Sequence, residues 1–134
     1  MSSYQTPDRL TKGLLGAGSA VRIAYGAGAL LAPRRMSDAR LAPLIGGEPE
    51  PRLLLRAFGG HQVLVGALTV LSLGGRGPAR LSAALSLSVD ALDVAAALLE
   101  WRQRGRADRA VVGGILLSGA GVANFALALR ALFR

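Results

Sequence analysis

At 134 residues the chain is the size of one domain, and its 51% hydrophobic content, mean hydropathy of +0.41 and 18 glycines against 18% charged residues describe membrane spans joined by short polar loops rather than a soluble fold. The formal net charge of +8 resides on basic residues that flank apolar stretches instead of interleaving with aromatics, which points to anionic lipid headgroups and argues against nucleic acid. With no cysteine the chain has no disulfide, no thiolate nucleophile and no thiolate-held metal.

After a polar opening, residues 10–32 form the first apolar stretch, which contains Arg22 and is stopped by Pro33, Arg34 and Arg35. It outruns the short apolar core of a signal peptide, and Ala32-Pro33 is a poor cleavage point, so it is read as a mature span. The connection 33–52 is the one long loop. Its residues 41–45 are apolar between polar flanks, a pattern that fits a short interfacial turn or helix as well as a solvated loop. The second span, 53–73, opens after Pro49-Glu50-Pro51 and closes at Gly74-Gly75. The third, 78–101, begins with Pro78, a residue suited to the first helical turn, and the fourth covers 109–133.

Each stretch has roughly the twenty residues that cross about 30 Å of hydrocarbon at 1.5 Å per residue. Strands would need many alternating ten-residue segments and a closed barrel. The expected fold is therefore all-α: a membrane-spanning antiparallel four-helix bundle, one domain over 1–134. Basic residues number six on the face holding the termini and the second loop and eight on the face holding loops one and three, a small asymmetry that leans toward loops one and three in the cytoplasm. Glu100 and Trp101, followed by Arg102, Arg104 and Arg106, read as an interfacial anchor.

Helical spacing sorts the polar residues into stripes. On the third span Ser82, Ser86, Asp90, Asp93, Ala97 and Glu100 follow one another at steps of three or four. The second span offers Arg56, Gly59, Gln62, Gly66 and Thr69, the first Gly18, Arg22, Gly26 and Ala29, and the fourth Gly114, Ser118, Gly121 and Asn124. Small residues at such intervals let helices approach closely, and polar ones hydrogen-bond across the interface. Arg22 and Asp90 both lie near mid-span, while Arg56 and Asp93 are displaced toward the same membrane face, so the expected pairs are Arg22 with Asp90 and Arg56 with Asp93. The buried polar cluster comprises Arg22, Arg56, Gln62, Asp90, Asp93 and Asn124. Such a cluster either fixes helix register or lines a cavity for a ligand or proton, and the first role is favoured because paired interior charges commonly specify packing.

His61, the single histidine, falls about 100° round the helix from Gln62, at the edge of the polar stripe or beyond it. It is a candidate general base beside Asp90 or Asp93, and more often such a residue bonds a neighbouring helix or subunit. A metal is not expected, because the arginines compete for the same carboxylates. The glycine-rich stretches have no preceding strand and no Gly-Lys-Ser/Thr ending, so they are packing glycines, and no serine stands in a nucleophile elbow.

The run Gly28-Ala-Leu-Leu-Ala-Pro-Arg-Arg35, the block Arg56-Ala-Phe-Gly-Gly-His-Gln-Val-Leu-Val-Gly66 and the Asp90/Asp93 pair together resemble the landmarks of uncharacterised small four-span membrane proteins of actinobacteria, distantly similar to the DoxX-like group. The resemblance implies the fold and topology and supplies no activity or catalytic residues; that family pattern often has arginine where His61 stands. Small multidrug exporters share the size but have a glutamate in the first span, where this chain has Arg22.

The functional expectation is a multi-pass protein of the inner (plasma) membrane, without cofactor and more accessory or structural than enzymatic. It would contact lipid and associate with itself or a larger membrane assembly through the glycine-rich first and fourth spans. The rival is a membrane-embedded enzyme or carrier for a lipophilic molecule using Asp90, Asp93, Arg56 and His61. An accessible cavity at Asp90 would favour the rival.

Overall fold

The computed structural model describes residues 6–33, 35, 50–107 and 109–134; the apolar 41–45 segment lies outside them. Four helices account for nearly all of the described chain: α1 (Arg9–Leu31), α2 (Glu50–Leu71), α3 (Arg76–Arg104) and α4 (Arg109–Leu132). All four are long and apolar enough to cross a membrane, and they form a multi-pass antiparallel bundle.

Local signals set the helix ends. Asp8 caps α1 by accepting a 2.7 Å hydrogen bond from the Thr11 N–H. The α2 helix runs into a 3₁₀ turn, Ser72–Gly74, and α3 begins at Arg76, which places Pro78 within its first turn. Gly105 ends α3 in the left-handed region at φ 65° and returns its N–H to the Trp101 carbonyl, a conformation that disfavours any residue with a Cβ.

The tightest pairings are α1 with α2 and α3 with α4; the α1–α4 and α2–α3 contacts are thinner. Close approach of α1 and α2 depends on Gly26 and Gly59. A Cβ at Gly26 would lie 2.6 Å from the Gly59 carbonyl oxygen, and one at Gly66 2.6 Å from Ile23 Cγ1. Between α2 and α3 the contact is a hydroxyl ladder, with Thr69 Oγ1 3.2 Å from Ser86 Oγ and Ser72 Oγ 2.6 Å from Ser82 Oγ.

An apolar core occupies the end of the bundle nearest the termini. It consists of Leu15, Ala79, Ala83, Phe125, Ala128 and Leu132, with Leu14, Leu73, Leu87 and Leu129 packed around it. At this end Arg80 donates from Nε and Nη2 to the Leu132 carbonyl at 2.9 and 2.6 Å and stacks on the Phe133 ring at 4.7 Å, covering an otherwise unpartnered carbonyl of the last α4 turn. The outer surface presents Leu64, Leu68, Leu81, Leu92 and Leu116, as lipid contact requires and water would not.

The stripes on α2 and α3 face inward: Gly59, Gln62, Gly66 and Thr69 are buried, as are Ser82, Ser86, Asp90 and Ala97. On α4, Gly114, Ser118, Gly121 and Asn124 are half-buried, with Gly121 against Asp90 and Asn124 against α1, and beside them Val111, Phe125, Ala128 and Leu132 are fully buried.

Candidate functional site

At mid-depth, above the apolar core, a single guanidinium ties the four helices together. Arg22 on α1 donates from Nη2 to Asp90 Oδ1 on α3 at 2.6 Å and to the Ser86 carbonyl at 3.4 Å. From Nη1 it donates to Gln62 Oε1 on α2 at 2.5 Å, and its Cζ lies 5.4 Å from the centroid of the Phe125 ring on α4. The side chains of Arg22 and Asp90 are 5% and 9% exposed, so the pair is screened from both water and lipid. Desolvating two charges this deeply is offset only when charge and hydrogen-bonding capacity are both met, and the Gln62 and Ser86 oxygens serve the guanidinium protons that Asp90 does not.

Asn124 on α4 donates from Nδ2 to the Leu14 carbonyl at 3.0 Å, closing α4 onto α1 below the ion pair. Gly121, one turn earlier on α4, leaves the space that the Asp90 carboxylate occupies; a Cβ there would overlap Oδ2. Oδ2 itself is buried and accepts no hydrogen bond.

Beside the pair lies a cavity of about 380 Å³ lined by residues of all four helices, in the size range of small-molecule sites. Arg22, Gln62, Asp90 and Asp93 contribute its polar floor, and Tyr25, Phe58 and Phe125 its aromatic wall. The cavity opens where α1 and α4 pack thinly: Ala17 and Val21 on one helix and Leu117 and Ala120 on the other line it and are exposed on the bundle surface. The opening is therefore lateral, through the apolar side of the bundle.

The six cluster residues expected from sequence thus separate. Arg22, Gln62 and Asp90 come together and are buried, whereas Asp93 and Asn124 are half-buried and line the cavity. Arg56 is exposed and makes no ion pair with Asp93. The reason is angular: Arg56, Gly59 and Gln62 are separated by two successive steps of three, each lagging a full turn by about 60°, which rotates Arg56 about 120° from the inward face. His61 is exposed as well. Among the described residues no three His, Asp or Glu side chains converge as a metal site would require.

Sequence reasoning missed the aromatic wall. Of the two tyrosines and three phenylalanines, Tyr25, Phe58 and Phe125 meet at the cavity, with Tyr25 and Phe58 edge to face at 5.9 Å. Their positions near mid-span, level with Arg22 and Asp90, were the available signal. Comparison with protein-family models, with curated proteins and with solved structures finds no match to this chain.

Proposed function

We propose that this protein is a membrane-embedded binding protein or carrier that takes a small lipophilic molecule from the bilayer into the cavity between α1 and α4. The observation that carries this reading is the lateral opening onto a pocket with apolar walls and a charged floor, since an ion pair serving only helix register needs no adjoining space. A ligand would place its apolar body against Tyr25, Phe58 and Leu117 and its polar group toward Asp93 and Asn124. We place the protein in the plasma membrane with loops one and three cytoplasmic, consistent with its resemblance to small actinobacterial four-span proteins.

Native mass spectrometry of the protein extracted from its own membrane tests this reading. A bound small lipophilic molecule is expected on the wild type and is expected to be lost from Val21→Trp and Ala120→Trp, which fill the entrance. Its absence from the wild type, or equal retention in both variants, overturns the proposal.

A second reading, an accessory subunit, is favoured by a separate observation. Gly13, Gly16, Gly113 and Gly119 on α1 and α4 have open space where a Cβ would stand, so this glycine surface is not used inside the bundle. Co-purification of a stoichiometric protein partner, lost on Gly13→Leu or Gly113→Leu, would support it.

A further inference from the structure

The charges lining the cavity do not balance. Asp90 and Asp93 contribute two carboxylates, and Arg22 is the one guanidinium among the lining residues. Arg22 is already committed, with Nη1 donating to Gln62, Nη2 to Asp90 and Ser86, and its Cζ over the Phe125 ring. Asp93 forms no hydrogen bond or ion pair with the described residues, and the second oxygen of Asp90, on a side chain nine-tenths buried, accepts none. No other element places a cationic side chain on the cavity lining: α4 has no charged residue between its terminal Arg109 and Arg130, α3 has none on the cavity besides the aspartates, and on α2 Arg56 and His61 are exposed and outside the lining.

Next to this surplus negative charge stands the edge-to-face pair of Tyr25 and Phe58. Aromatic faces attract cations, most strongly where water is excluded, and Arg22 already occupies the face of Phe125. A carboxylate or phosphate ligand would meet like charge, and a neutral ligand would supply no counter-charge to an ionised Asp93. Resting on the reading of the cavity as a ligand site, we propose that its ligand is a lipophilic organic cation, an ammonium on an apolar body, held by the Asp93 carboxylate and the Tyr25 and Phe58 rings.

The test uses the full chain in lipid nanodiscs and measures binding calorimetrically, with empty nanodiscs subtracted. Three probes share one octyl chain: octyltrimethylammonium, its uncharged isostere with a tert-butyl head, and octyl sulfate. The ammonium is expected to bind most tightly; Asp93→Asn should weaken it about tenfold or more, and Phe58→Leu about threefold to tenfold. If Asp93→Asn does not fold, Phe58→Leu, which removes no charge, carries the test. Equal or tighter binding of the uncharged probe or the sulfate, or unchanged ammonium affinity in a folded variant, overturns the inference. If all three probes bind alike and Val21→Trp abolishes them together, only the cation assignment fails; if none binds the wild type, the binding reading fails with it.

Discussion

Gly121 of α4 lies against the carboxylate of Asp90 on α3, in the space a β-carbon would otherwise take. Asp90 is also held by Arg22, so shifting its carboxylate toward the adjoining cavity would disturb a 2.6 Å ion pair. Gly121→Ala should therefore destabilise the bundle by about 1–3 kcal/mol, the usual cost of forcing an extra methyl against a fixed neighbour. In an Asp90→Ala background the same change should cost less than half as much, and a double-mutant cycle by denaturant titration in bicelles reads the difference.

Breaking the ion pair from either side leaves a charge stranded at mid-depth. Arg22→Met alone and Asp90→Leu alone are each expected to cost about 3 kcal/mol or more, whereas the double variant should recover most of that loss, because apolar side chains can fill the space of a buried pair. Stabilities of the four forms in one detergent series decide the matter. Equal losses in the single and double variants would mean that the pair contributes no coupling.

The α1–α2 crossing sets a steric limit independent of charge. A Cβ on Gly59 would stand 2.5 Å from the Gly26 carbonyl oxygen and 2.7 Å from the Leu30 nitrogen, both backbone atoms that cannot swing aside. Gly59→Val should force the helices apart at a cost of about 2 kcal/mol or more. A spin-label pair on the exposed faces of α1 and α2 should report the added separation.

Arg56 offers a contrasting expectation. Exposed and without an ion pair to Asp93, it can be replaced by glutamine with a change of less than about 0.5 kcal/mol. A loss comparable to that of Arg22→Met would restore Arg56 to the buried cluster.

The fold was legible in the sequence because the bilayer imposes a coarse rule: twenty apolar residues, a breaker, and a helix as the form that satisfies its own backbone. Depth along two such helices was equally readable, which is why the sequence alone pairs Arg22 with Asp90. Azimuth was less secure. A run of three-residue steps drifts around the helix, and that drift carried Arg56 out of a stripe that looked continuous. On α4 the small residues marked the contact with Asp90 and α1, but not that Phe125, one position beyond Asn124, would be the fully buried side chain. The cavity was out of reach, since an opening depends on how loosely two helices far apart in sequence meet, and no local pattern encodes that.

The two tight pairings, α1 with α2 and α3 with α4, also divide the chain for its biogenesis. The first hairpin to leave the ribosome carries Arg22 with only Gln62 to answer it, and Asp90 arrives with the second. Until the halves dock, each carries a mid-span charge without its counter-ion, so final seating of the first hairpin is expected to wait for synthesis of the third helix. Chains truncated before Asp90 should stay bound to the translocon or be degraded, while the same chains co-expressed with the missing half should assemble.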